Sequence, residues 1–194
     1  MKKVYYVVLI LTFSIGSVAS AMTNTPVPAA HSIPSQPDSR HPATNHSKPY
    51  EGYQDRSIRA LSTEEIENFQ MGKGAGYALA AELNHYPGPK HVLELAKELE
   101  LTAEQVQIAK EQERLMQEKA IGIGKQIIAL EKQLDDAFRS KTITESQLHS
   151  LTQQIAEADG RYRYVHLQAH LVMKKVMTEK QIARYDQLRG YRTE

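Results

Sequence analysis

Cysteine is absent from this chain of 194 residues. The absence excludes disulfide bonds, thiolate metal ligands and a lipid-attachment cysteine, so a folded domain must be stabilised by packing alone. An excess of charge of one sign is also absent, because 24 basic residues stand against 23 acidic ones. Near-neutral balance gives no electrostatic reason to expect nucleic-acid binding, and we predict that nucleic acid is not a partner.

The sequence shows no catalytic constellation. It contains no Gly-x-Ser-x-Gly, no His-Glu-x-x-His and no cysteine nucleophile. The glycine-rich run from Gly72 to Gly76 resembles a phosphate loop only superficially, since no strand precedes it and no Gly-Lys-Ser/Thr follows. The remaining carboxylates are spread along helical patterns where they can pair with lysines. We therefore predict that the protein is not an enzyme.

Only one long apolar run is present, at the N-terminus. It extends from Val4 to Val18 behind Lys2 and Lys3, and the small residues Ala19-Ser20-Ala21 follow it. This order predicts a cleaved signal peptide over residues 1–21 and export to the periplasm. The alternative is an uncleaved leader that anchors the protein to the inner membrane, although the run is shorter than the ~20 residues of a spanning helix.

The composition changes sharply after the leader. Residues 22–57 hold six of the eight prolines, with many polar residues and few large apolar ones, which predicts a disordered tether. Residues 58–100 contain helical patterns interrupted by glycine and proline. We predict short helices there at about 62–71, 77–84 and 90–98.

One short pattern occurs four times: an apolar residue, Ser or Thr, two variable positions, Glu or Gln, and another apolar residue. Each copy is typical of a capping box, in which the hydroxyl and the Glu or Gln satisfy two backbone N–H groups at a helix start. The copies are Leu61-Ser62 to Ile66, Leu101-Thr102 to Val106, Ile143-Thr144 to Leu148 and Met177-Thr178 to Ile182.

Residues 101–191 are predicted to form the core, an all-α helical hairpin followed by a short C-terminal helix. Apolar residues recur at alternating steps of three and four after Thr102 and again after Thr144, which is a heptad pattern. A short turn near residues 140–142 joins the two helices, so they are expected to pack antiparallel. Apolar residues beside the main seam predict a homodimer: Leu115, Ile121, Ile128 and Leu167.

Centring the turn near Lys141 and Thr142 places residues of the two helices side by side. Gly122 and Gly124 then fall opposite Gly160, which predicts a close approach of the two backbones or a weak point.

The same alignment places Glu113, the only charged residue of the seams, opposite His170. His166 and His170 are spaced i,i+4 and lie on one helix face, and His91 on a preceding short helix is a candidate fourth ligand. Imidazole and carboxylate donors suit zinc, nickel, cobalt or copper. The alternative is a polar break that sets the register of the seam through hydrogen bonds. No cofactor is required in either interpretation.

A basic and aromatic surface is predicted on the second long helix. Such a surface can hold unfolded client chains, with charge for capture and apolar contact for retention. The alternative is a solvated face over a dimer seam. The candidate client-binding residues are Arg161, Arg163, Tyr164, Lys174 and Lys175.

Two of the capping boxes also carry a family resemblance. The run from Leu101 and Thr102 to Gln105, and the run from Met177 and Thr178 to Gln181, resemble the paired Leu-Thr-x-x-Gln motifs of the Spy/CpxP periplasmic proteins. The second copy has Met in place of Leu. The resemblance covers residues 72–191.

The resemblance implies an all-helical, curved antiparallel dimer that acts as an ATP-independent chaperone or as an envelope-stress regulator. Its partners would be unfolded clients or an envelope sensor protein. A related branch contains periplasmic heavy-metal sensors and zinc-responsive resistance proteins. The pattern around His166 and His170 is similar to that branch and implies Glu113 and, approximately, His91 as further ligands. A third class is a purely structural helical adaptor.

Overall fold

The computed structural model describes residues 48–191, which belong to the compact unit Ser47–Glu194. The predicted signal peptide and residues 22–47 of the predicted tether lie outside the described residues. In the described part the chain is all-helical and has no β-strand, which confirms the predicted class. One 3-10 turn, Tyr53–Asp55, precedes six α-helices: α1 Thr63–Met71, α2 Leu79–Glu82, α3 Pro89–Glu94, α4 Ala103–Arg139, α5 Glu145–Val176 and α6 Glu179–Arg189.

The four predicted capping boxes all form, and they begin the four longest helices. In each box the hydroxyl oxygen accepts the backbone N–H three residues later, and that residue's side chain accepts the N–H of the cap residue. Left-handed glycines at Gly72 and Gly190 end α1 and α6. Local hydrogen-bonding chemistry therefore determines where these helices begin.

The two short helices in the middle of the chain are shorter than predicted. The pattern at 77–84 predicts eight residues, but α2 covers Leu79–Glu82 only, and the pattern at 90–98 corresponds to α3, Pro89–Glu94. Residues 95–100 continue as turns that bury Leu99, which is 2 % exposed. Helix propensity is weak beside the burial of a large side chain, so packing ends the helix early.

The most extensive packing between helices joins α4 and α5, which are connected by residues 140–144. Two buried apolar clusters result. The first cluster consists of Ile58, Leu61, Phe69, Ala120, Ile127, Leu130, Ala158, Tyr162 and Val165. The second cluster consists of Val92, Leu99, Ala109, Met173, Met177, Ile182 and Tyr185.

No helix between residues 48 and 191 is long and apolar enough to cross a membrane.

The predicted approach of three glycines between the long helices is wrong. A Cβ atom added at Gly124 would lie 2.2 Å from the carbonyl oxygen of Phe69, so this glycine admits α1 rather than α5. Gly122 and Gly160 would meet nothing within 4 Å. The expectation failed because it considered only the two long helices, whereas α1 packs across α4 at this level.

Candidate functional site

A polar band separates the two apolar clusters. On α4, Glu113 lies between Ala109 of the second cluster and Ala120 of the first. On α5, His166 and His170 lie between Val165 and Met173, which likewise belong to different clusters. The charged and imidazole groups of the seams therefore occupy one level of the molecule.

A cavity of about 430 Å³ opens at this level. Its wall includes all four residues predicted as metal ligands, Glu113, His166, His170 and His91, together with the glycine-rich run 72–76. Within residues 48–191, however, no three histidine or carboxylate side chains stand in an arrangement that could hold a metal ion. The candidate ligands therefore share one cavity wall, but their side chains do not meet around a common metal position.

The carboxylate beside His170 is Glu82, which the sequence analysis did not identify. Nδ1 of His170 lies 2.7 Å from the carbonyl oxygen of Tyr86 and 3.6 Å from Oε2 of Glu82. The prediction that Glu113 faces His170 considered only the long helices. The segment containing α2 and α3 packs onto α5 and supplies these two polar partners of His170.

Glu82 is the centre of a buried hydrogen-bond network. Its Oε1 accepts the phenolic hydroxyls of Tyr185 and Tyr191, the latter at 2.9 Å, and Nε of Arg189 lies 3.6 Å away. Burial raises the pKa of Tyr185, and the hydrogen bond to Glu82 raises it further. The hydrogen bonds to Oε1 fasten α2 to α6 and the residues that follow it. Oε2 of this carboxylate, which is 7 % exposed, has no hydrogen-bond partner among the described residues.

His166 is buried without a hydrogen-bond partner for Nε2 among the described residues. The residue is 2 % exposed, and its ring centroid lies 4.9 Å from that of Tyr162. Burial lowers the pKa of His166 to about 4, with a further contribution from nearby His170. At neutral pH the imidazole is therefore uncharged.

Two further histidines contact carboxylates near the cavity. Nδ1 of His91 lies 2.8 Å from Oε2 of Glu94, its neighbour on the same short helix. Nδ1 of His85 lies 2.8 Å from Oδ2 of the fully buried Asp186 on α6. The second contact, like that of Glu82, fastens the α2–α3 segment to α6.

The glutamines of the two family-type motifs bind each other. The Nε2 of Gln105 donates to Oε1 of Gln181 at 2.9 Å, and Nε2 of Gln181 donates to Oε1 of Gln105 at 3.0 Å. Gln105 also donates to the carbonyl of Val176, and Gln181 to that of Leu99. Each glutamine therefore caps its own helix and joins the start of α4 to the start of α6.

We expect Gln105→Glu to lower the free energy of unfolding by about 2 kcal/mol, because the carboxylate loses both donated hydrogen bonds and faces the carbonyl oxygen of Val176. Gln147→Glu is the matched control. Gln147 caps Thr144 at an exposed helix start, and Glu65 performs the same role for Ser62. Urea denaturation followed by circular dichroism measures both. Equal stabilities of the two variants would contradict a role for the glutamine pair.

The predicted client-binding residues lie along α5 in different surroundings. Arg161 is exposed and donates to Gln126 at 2.8 Å, while the guanidinium of Arg163 lies 4.8 Å from the ring centroid of Tyr77. Tyr164 is 60 % exposed, and Lys175 is exposed.

The fifth of these residues, Lys174, is partly covered. Its Nζ lies 3.4 Å from Oε1 of Glu179 and 5.9 Å from the ring centroid of Tyr86. Leu171, which the sequence analysis did not include, is 51 % exposed one helical turn before Lys175. Sequence spacing could have found Leu171, because it is seven residues after Tyr164 on one helix face.

Comparisons with known proteins identify no relative of this chain. Neither a protein-family model nor a curated protein nor a solved structure matches the chain.

Proposed function

We propose that this is an exported helical-hairpin protein of the Spy/CpxP type that holds unfolded protein chains in the periplasm without ATP. The observation that supports the proposal is the exposed mixed face of α5. Arg161, Tyr164, Leu171 and Lys175 recur there at steps of three, four and seven, so they share one side of the helix.

This face offers the two interactions that a non-specific holder needs. Exposed cations attract chains through long-range charge, and the contacts are reversible because salt and water screen them. Tyr164 and Leu171 supply apolar area that retains a segment whose own apolar residues are exposed. Binding by such a face depends on composition rather than on a fitted pocket.

The proposal includes an antiparallel hairpin of α4 and α5 and a homodimer of two such hairpins. The short connection at residues 140–144 and the extensive packing of α4 on α5 support the hairpin. The partly buried Leu115, Ile121, Ile128 and Leu167 provide apolar surface for a second copy. In the regulatory version of the function, the partner is an envelope sensor protein instead of an unfolded chain.

Suppression of aggregation tests the holding function. We expect the purified exported protein to suppress aggregation of a chemically unfolded client at a near-stoichiometric ratio without ATP, measured by light scattering. Tyr164→Ser with Leu171→Ser should remove most of the suppression. Phe138→Ser is the matched control, since Phe138 is 53 % exposed at the other end of the molecule's long helices. No suppression by the wild type, or equal loss in the control, would contradict the proposal.

Metal binding is the second candidate function, favoured by the meeting of Glu113, His166, His170 and His91 on one cavity wall. The uncharged state of His166 suits it to donate an electron pair to zinc, nickel, cobalt or copper. To converge the ligands, Glu113 on α4 would have to approach His166 and His170 on α5, and His91 on α3 would have to approach them as well. The protein would then act as a sensor or a buffer of the metal.

Calorimetric titration with Zn²⁺, Ni²⁺, Co²⁺ and Cu²⁺ tests this second function. We expect Glu113→Ala and His170→Ala to weaken binding at least about tenfold, because even the loss of a residue that only orients a metal ligand costs that much. His149→Ala is the control, because His149 is exposed on α5 outside the cavity. If the two ligand variants bind as well as wild type, this site is wrong. A purely structural adaptor, the third class, would show neither metal binding nor suppression of aggregation.

A further inference from the structure

The short helix α2 has its polar and apolar sides reversed relative to an ordinary surface helix. Its carboxylate, Glu82, is 7 % exposed, whereas Leu79 is 53 % exposed and Leu83, the C-cap residue, is 55 % exposed. A surface helix normally buries its leucines and exposes its glutamate. Here the two leucines, one turn apart, project away from the protein.

The inward carboxylate keeps the leucines outside. Glu82 accepts hydroxyl hydrogen bonds from Tyr185 and Tyr191, and His85 beside α2 contacts the buried Asp186. Rotating α2 to bury Leu79 would break these bonds and leave the carboxylate of Glu82 without its hydrogen-bond donors. The exposure of the leucines is therefore built into the fold.

A third apolar side chain joins the two leucines. Met71 is 53 % exposed, and it lines the same cavity mouth as Leu79. We call the exposed Met71, Leu79 and Leu83 the α2 patch. Contiguous exposed apolar side chains of this kind mark surfaces that contact another phase or another molecule.

Along the chain segment that carries the α2 patch, the exposed charges have one sign. Between Gln70 and Leu93 the charged residues are Lys73, Glu82 and Lys90, and only the two lysines are exposed. Both lysines line the same cavity mouth as Met71 and Leu79. Outside this segment, Glu94 is exposed and contacts His91, and Glu67 is exposed one helical turn before Met71. Glu113 on the same cavity wall is partly buried.

We infer that the α2 patch is a peripheral docking site for the surface of an anionic lipid bilayer. Exposed leucines flanked by the exposed Lys73 and Lys90 match the apolar and the charged layer of such a surface. The apolar side chains enter the boundary of head groups and acyl chains, and the ammonium groups contact lipid phosphates. This function goes beyond the holding of clients, which uses α5.

An acidic protein surface is the competing occupant, and the α2 patch suits it less. A protein partner of stable affinity requires on the order of 800 Å² from each side and several directional hydrogen bonds. The α2 patch is confined to one turn of helix and a few neighbours, and its polar groups are the two flexible lysines. A bilayer needs neither a large interface nor fixed partners.

A tryptophan reporter tests the docking directly, since the chain has no tryptophan of its own. We expect the emission of Leu83→Trp to shift to the blue on mixing with phosphatidylglycerol vesicles, and to change little with phosphatidylcholine vesicles. Phe138→Trp is the matched control, because Phe138 is equally exposed but lies outside the α2 patch. Vesicle co-sedimentation of the purified exported protein measures partitioning independently.

Two sets of variants separate the contributions. Lys73→Gln with Lys90→Gln should weaken partitioning about thirtyfold, since each lysine near an anionic surface contributes about a fivefold increase in binding. Leu79→Ser with Leu83→Ser should abolish co-sedimentation and preserve the circular dichroism spectrum.

Four results would overturn the inference. An unshifted Leu83→Trp emission excludes insertion, and equal binding to phosphatidylcholine excludes the electrostatic part. If Leu79→Ser with Leu83→Ser lowers the mass measured by light scattering, the α2 patch is an interface between copies of this chain. Binding of the same variant to vesicles at the wild-type level would likewise exclude the α2 patch as the docking site.

Discussion

Gly124→Ala is expected to lower the free energy of unfolding by about 3 kcal/mol or more. The added Cβ atom would lie 2.2 Å from the carbonyl oxygen and 2.8 Å from the carbonyl carbon of Phe69. These atoms belong to the backbone of α1, so no side chain can rotate to relieve the overlap. The helix α1 must move away from α4, which opens the first apolar cluster at Phe69.

Gly122→Ala and Gly160→Ala are the matched controls. Both glycines lie inside long helices, and a Cβ atom at either position would meet nothing within 4 Å. Alanine is the better helix former, so each control should raise stability by up to about 1 kcal/mol. Urea denaturation of the three variants measures the differences. If all three substitutions change the free energy of unfolding in the same direction, α1 does not approach α4 at Gly124.

The second large effect is a loss of stability in mild acid caused by His166. In the unfolded chain the imidazole has an ordinary pKa near 6.5, and in the native protein burial lowers the pKa to about 4. Between these pH values the unfolded state binds a proton that the native state does not. The free energy of unfolding therefore falls as the pH falls from about 6.5 to about 4, by about 3 kcal/mol from this group. Below about pH 4 both states are protonated and the contribution no longer changes.

Comparison with His166→Phe isolates this contribution from those of other ionisable groups, because the ordinary pKa values of histidine and carboxyl side chains lie in or near this range. Phenylalanine has a similar shape and can keep the ring contact with Tyr162. We expect its stability to depend less on pH between about 4 and 6.5, while exposed His149→Gln should follow the wild type. Denaturation is measured at several pH values in the presence of a chelator. Parallel curves for wild type and His166→Phe would exclude a buried neutral histidine.

The helix starts could be predicted from the sequence because a capping box is a local structure. The partners of each box, such as Thr102 and Gln105, lie three residues apart and find each other in any fold that begins a helix there. All four boxes form as predicted. The lengths of α2 and α3 were less predictable, because their ends depend on which side chains the rest of the protein buries.

The candidate site shows the same division. Heptad spacing placed Glu113, His166 and His170 on inward faces, and the structure finds all three on one cavity wall. The heptad spacing of the two long helices does not predict where α2 packs, because α2 has only four residues and no periodic pattern. Glu82, which the structure places beside His170, was therefore missed. The one available signal was that Glu82 is the only acidic residue between Gln70 and Leu93.

Gly122 and Gly124 show why contacts between distant helices could not be predicted from the sequence. They are the same residue two positions apart in one helix, yet one faces open space and the other contacts the backbone of α1. Likewise, Gln105 and Gln147 occupy the same position of the same motif, and the described contacts join only Gln105 to a second box.

The sequence by itself determined the all-helical class, the four long or medium helix starts and the inward faces, because these depend on contacts within a few residues of the chain. The tertiary structure alone decided which glycine contacts the backbone of α1, which carboxylate lies beside His170 and which leucines remain outside. Those features depend on the positions of α1, α2 and α6 against the long helices, and such contacts join residues tens of positions apart.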